Sequence, residues 1–206
     1  MTDTRSADGT RGERRRRADA ERSVARILDA AVEALADSPD ASMAAIADRA
    51  GVARATVYVH FPTREELIAA VTDRAMSEVI EAIDAADPTS GNADEALGRV
   101  VAETWRTLGR YHALIAINTQ LPDQELHARH RSVLATLEPL IKRGQREGEF
   151  RGDVSPAWHL SMLMALIHAA SAELRAGRLP ADQVERGVVE TVLGAVRTPP
   201  GEPRVA

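Results

Sequence analysis

Apolar residues recur along most of the chain at three- and four-residue intervals, the spacing of one helix face, and nowhere alternate with polar residues over the length of a strand. The first such face, Val24, Ile27, Leu28, Ala31, Val32 and Leu35, predicts a helix that stops at 37-DSPD-40, because a proline turns the residue before it away from helical backbone. Ser42 can accept from the free amides of the following turn, opening a short helix from Met43 to Ala50 that closes at Gly51. A second short helix covers Ala53 to His60. Pro62 and Thr63 then start a longer one, with Thr63 as N-cap, Glu66 in the capping-box position and Leu67, Ile68, Val71, Ala75, Val79 and Ile83 on one side, running to about Ala86. Beyond 87-DPTSGN-92 the same grammar predicts helices from Ala93 to about Leu108, Tyr111 to Asn118 and Asp123 to about Glu147. Two more follow, from Pro156 (capped by Ser155) to Ala176, and from Ala181 to about Val196. The expected fold is all-α, with about nine helices in a small head and a larger body. Residues 1–20, Arg-rich and without apolar period, read as a disordered basic arm, residues 21–66 as the head and residues 67–200 as the body.

Composition narrows the class. Of 206 residues 44% are hydrophobic but only 3% aromatic, so the core must be built from Ala, Leu, Val and Ile, and the abundant alanine favours helix. With no cysteine there is no disulfide framework, thiol nucleophile or thiolate metal ligand. Neither a signal-peptide core nor an apolar run long enough to span a bilayer occurs, which predicts a cytoplasmic protein that does not engage a membrane. Charge is distributed unevenly. Residues 1–64 hold eleven Arg and ten acids, a net of +1, which leaves −6 for the rest of a chain whose total is −5. Residues 49–64 carry three Arg and no acid, and 11-RGERRRR-17 adds a second basic cluster.

A helix-turn-helix needs a small residue where its helices cross, a glycine at the turn and an apolar anchor in the second helix. Ala47, Gly51 and Val57 supply these, and Ile46 and Val52 add packing contacts. The second helix, within 51-GVARATVYVHFP-62, then turns Arg54, Thr56, Tyr58 and His60 away from the core, and a helix of this size fits the major groove of DNA. The spacing by itself is equally what a chance pair of short helices with Ala-x-x-x-Gly would give.

From 24-VARILDAAVEAL-35 through 46-IADRAGVARATVYVHFPTREELIAAV-71 the chain resembles the tetracycline-repressor (TetR) family of one-component transcriptional regulators. The most specific piece is Thr56-Val57-Tyr58-x-His60-Phe61 followed by a polar cap and Glu66-Leu67. Downstream, only the helix layout and 148-GEFRGDV-154 are similar to the family. The resemblance implies a homodimeric regulator that binds a pseudo-palindromic operator in double-stranded DNA and answers to a small-molecule effector, most simply a repressor released by a small hydrophobic compound, with no cofactor. It implies phosphate contacts from Thr56, Tyr58, His60, Ser42 and Arg64, and base-facing positions for Arg54 and Ala55. Ala53 departs from the family's Ser or Thr and removes an N-cap. Val59 is apolar where many members are polar, which points to packing or to a thymine methyl contact.

Several residues of the body invite chemistry. Trp105, Leu108, Ile115, Asn118, Leu134, Trp158, Met162 and His168 could converge on a mostly apolar ligand cavity. Ser161, Ala165, Ala169 and Ala172, with Val184, Val188, Thr191 and Ala195, form two stripes suited to pairing the last two helices across a two-fold axis, or to packing within one subunit. His127 and His130, near Asp123 and Glu125, have the spacing of two ligands on one helix side, but two ligands do not make a metal site, and exposed histidines satisfy the same pattern. No phosphate-cradling glycine loop, HExxH or serine elbow is present, so catalysis has no motif. The alternative function is a helical metalloenzyme or small-molecule carrier that does not act on DNA.

Overall fold

The computed structural model describes residues 5–118 and 121–199. Among them are nine α-helices: α1 (Arg5–Asp37), α2 (Met43–Ala50), α3 (Arg54–His60), α4 (Arg64–Ala85), α5 (Ala93–Leu108), α6 (His112–Asn118), α7 (Asp123–Arg146), α8 (Pro156–Arg175) and α9 (Ala181–Val196), with a 3₁₀ turn over Gly109–Tyr111. The one extended pairing among the described residues is an isolated antiparallel bridge between Phe150 and Arg197. The fold is all-α, as expected.

The chain divides into two units between Val71 and Thr72. That is later than the expected boundary at 66/67, because α4 is one continuous helix and nothing in its sequence interrupts it there. The basic arm is the larger departure. Residues 1–4 lie outside the described residues, but from Arg5 onward the arm is helical and continuous with α1. Arg, Ala and Glu are strong helix formers and no proline intervenes, so propensity extends the helix where apolar periodicity stops. Arg14 to Arg17 are exposed, so no core shapes the sequence of this stretch.

In the first unit α1 packs on α2 and α2 on α3. Ile27, Ala31 and Leu35 of α1 meet Ile46 and Ala47 of α2 and Val57 of α3 in one small core, all at most 2% exposed. Burying each of the larger side chains contributes about 1.5–3 kcal/mol.

In the second unit α5 packs against α7 and α9, and α8 against α6, α7 and α9. The segment after α7 is fixed from both sides. Phe150 is 1% exposed and its ring lies over Gly144, where even a methyl group would come within 2.1 Å of it. The Arg151 amide donates to the Val196 carbonyl at 2.9 Å, and Arg197 donates to both carboxylate oxygens of Asp94 at 2.6 and 2.7 Å. Val184 and Val188 are buried in this core, so that part of the α9 stripe packs within the subunit, whereas Ala165, Ala169 and Thr191 remain exposed.

Candidate nucleic-acid interface and ligand cavity

The head presents α3 through local signals. The Ser42 hydroxyl accepts from the Ala45 amide at 3.2 Å and caps α2. Gly51 ends α2 at φ 62°, a left-handed conformation that other residues adopt only with strain, and the Val52 amide returns to the Ala47 carbonyl at 3.1 Å. Arg26 of α1 donates to the carbonyls of Ala50 (2.6 Å) and Gly51 (3.0 Å), which fixes the turn to the first helix. Ala53 begins α3 without a side-chain cap.

Val57 is fully buried and sets the rotation of α3. Arg54, Ala55, Tyr58 and Val59 then share the exposed face, with Thr56 and His60 at its margins. Tyr58 is 51% exposed and Val59 77%, so packing does not account for Val59, which stands beside Tyr58 in solvent. Among the described residues, Arg54 has no hydrogen bond or ion pair, whereas Arg49 pairs with Asp37 at 2.6 Å. Arg64 is half-buried and donates to the Pro39 carbonyl at 2.5 Å, tying the start of α4 to the turn between α1 and α2. The Thr63 hydroxyl accepts from the Glu66 amide at 3.1 Å, the predicted N-cap of α4.

In the body, Leu108, Ile115, Asn118, Leu134 and His168 come together around an apolar cavity of about 60 Å³. Three residues expected with them do not line it. Trp105 is buried in the core behind it, its ring 5.2 Å from that of His112. Trp158 is 63% exposed, and it lines a surface groove with Met162. The start of α8 at Pro156 turns His159, Leu160 and Leu163 inward, which leaves Trp158 outside.

The cavity's polar wall includes residues that sequence reasoning missed. Thr104 is 5% exposed and its hydroxyl has no hydrogen-bond partner. Its four-residue spacing from Val100 and from Leu108 on α5 was the available signal. Tyr111 donates its hydroxyl to Glu78 at 2.8 Å, and Asn118 donates its amide to the Thr72 hydroxyl of α4 at 3.1 Å. His130 faces the cavity, with its ring 5.4 Å from His168, while His127, one turn before it on α7, is exposed and does not line the cavity. Burial pushes His168 down to about 4, helped by His130, and burial also lowers His130. The side chain of Asp123 lies outside the description, and among the described residues no three His, Asp or Glu converge as a metal site.

A helix-turn-helix head joined to a helical body with an apolar cavity defines a one-component regulator. The family profile described as "Bacterial regulatory proteins, tetR family" matches residues 27–71. The HTH-type transcriptional repressor LfrR of Mycolicibacterium smegmatis is 33% identical over 181 residues, 87% of this chain and 93% of that protein. The crystal structure of LfrR in complex with proflavine superposes with a TM-score of 0.67 at 29% identity, covering 87% of this chain and 99% of that one. FadR of Bacillus subtilis in complex with stearoyl-CoA, at 23% identity, shares the fold with a TM-score of 0.69 and covers 84% of this chain and 98% of its own. The chain belongs to the tetR family and is a ligand-responsive, DNA-binding transcriptional regulator; its relatives are regulators, not enzymes. No helix among the described residues is long and apolar enough to cross a membrane.

Proposed function

We propose that this regulator is a cytoplasmic, homodimeric repressor that binds a pseudo-palindromic operator through α3 and leaves it when a small apolar compound enters the body. The carrying observation is the exposed face of α3, where Arg54, Ala55, Tyr58 and Val59 stand together on an anchor, Val57, that is fully buried. Arg54, held by no partner among the described residues, reads a base edge, and Ala55 and Val59 offer methyl contacts to thymine. Thr56, Tyr58, His60, Ser42 and Arg64 contact phosphates and set the register without carrying sequence information.

A second copy covers the outer side of α8 and α9, where Trp158, Ala165, Ala169 and Thr191 are exposed. Two heads related by a two-fold axis require half-sites about one helical turn or more apart. The complex of LfrR with proflavine supports an aromatic effector of modest size. The cavity is smaller than the roughly 300–1,000 Å³ of most ligand sites, so a ligand must part its walls. Asn118 lines that wall and is bonded to Thr72 of α4, the helix that begins at Arg64, so displacement of α6 is felt along α4. By linkage the effector lowers DNA affinity by the factor with which DNA lowers effector affinity. The test is a gel shift on DNA flanking the protein's own gene. A specific, salt-sensitive shift is expected, and binding no stronger than to scrambled DNA defeats the proposal.

A further inference from the structure

The hydrogen-bonding capacity left open in the body cavity is neutral and includes more acceptors than donors. Among the described residues, no Asp, Glu, Lys or Arg lines it. Three of its polar donors are already committed: the Tyr111 hydroxyl to Glu78, an Asn118 amide hydrogen to Thr72, and His130 Nδ1, 2.8 Å from the Leu126 carbonyl. A carbonyl only accepts, so in the neutral ring Nδ1 carries the proton and Nε2 is a bare lone pair. The second ring, His168, crosses it at 67° and in its neutral form presents one more lone pair together with one N–H. Burial holds both rings below the ordinary histidine value. The Asn118 carbonyl oxygen adds a third acceptor. Thr104, more than nine-tenths buried, has a hydroxyl whose desolvation no partner among the described residues offsets. An apolar pocket that offers no cation to offset the desolvation of an anion, and two imidazole lone pairs in its wall, disfavours a carboxylate or phosphate and rewards a neutral ligand that donates.

We infer that the cavity is specific for aromatic or other apolar ligands bearing N–H or O–H donors, amines or phenols, held by His130 Nε2, His168 and the Thr104 hydroxyl, and that it discriminates against acyl or aryl carboxylates of the same shape. This deepens the proposal that the body is the effector site and rests on it. A shape-matched series isolates the chemistry: 2-naphthol, 2-naphthylamine and 2-naphthoate, titrated into the full-length protein and followed by ligand and tryptophan fluorescence.

The amine and the phenol should saturate the protein at least tenfold more tightly than the carboxylate. His168→Leu and His130→Leu should each weaken the two donors by tenfold or more and Thr104→Val by several-fold. His168→Gln, which keeps an acceptor, should recover most of the loss, and His127→Leu, outside the cavity, should change nothing. Circular dichroism melts of each variant separate lost folding from lost recognition. Equal or tighter binding of naphthoate, donor affinity indifferent to both histidine substitutions in folded protein, or no binding by any of the three would each overturn the inference. Those outcomes are independent of the gel shift: a failed shift removes the operator reading and leaves the donor preference measurable, whereas naphthoate preference leaves operator binding intact.

Discussion

Replacing Thr104 by valine should stabilise the ligand-free protein, contrary to the usual effect of a core substitution. The threonine lies in α5 with its hydroxyl buried and unpartnered. A buried hydroxyl that finds no partner costs about 1–3 kcal/mol in desolvation. Valine has nearly the same shape, so no methyl is lost and no new void is opened, and the two residues have similar helix propensity. The net change is therefore about 1–2 kcal/mol in favour of the folded state. For a chain of this length that raises the melting temperature by roughly 3–6 °C. The assay is thermal and urea unfolding of ligand-free wild type, Thr104→Val and Thr104→Ser, with unchanged denaturant slope as the check that the unfolded state is the same. Serine keeps the hydroxyl and loses the methyl, so it should destabilise. A valine variant that melts at or below wild type would mean that the hydroxyl is already satisfied, and would remove the strongest sign that the wall is built for a ligand.

Other substitutions separate the remaining roles. Arg54→Ala should relax preference at one or two base pairs, costing about 1–3 kcal/mol if the arginine reads guanine, whereas Tyr58→Phe should weaken operator binding with base preference unchanged; binding-site selection on both variants decides, and an unaltered preference in Arg54→Ala refutes its role as a reader. Trp158→Glu should turn a dimer into a monomer by light scattering at micromolar concentration, and a wild-type monomer under those conditions refutes the dimer. The cavity histidine sets a pH dependence whose sign follows from its depressed pKa, about 4 against an ordinary 6.5. The folded state binds the proton less readily than the unfolded one, so this stabilisation is complete above about pH 6.5 and is lost as pH falls towards 4, by at most roughly 3 kcal/mol. His168→Gln should flatten that part of the pH–stability curve, and an unchanged curve would count against burial of the neutral ring.

The head was legible in the sequence because its signals are local. Ser42, Gly51 and Thr63 each act on backbone groups within a turn or two, so one sequence window holds both partners of the capping interactions that bound α2 and open α4. The rotation of α3 followed from a single anchor, Val57, and with it the outward direction of Arg54 and Tyr58. Val59 was harder, since an isolated valine satisfies either side of a short helix until the anchor fixes the phase. The basic arm failed for a related reason. Apolar period marks a helix that packs, and residues 14–17 extend a helix without packing.

The cavity was only half legible because α8 is apolar on more than one side. His159, Leu160, Leu163 and Ile167 lie on the side buried within the subunit, while Trp158, Met162, Ala165 and Ala169 follow one another along a second, partly or wholly exposed side. Periodicity finds both stripes and cannot say which is internal, since each repeats at helical spacing. The phase set by Pro156 at the first helical position places Trp158 outside. A helix with two apolar faces leaves one of them unused by its own subunit, and a tryptophan 63% exposed at the head of that face is difficult to reconcile with a solitary chain. The same residue that was misassigned to the effector cavity is therefore the strongest feature favouring a second copy, and its substitution tests dimerisation without touching the cavity wall.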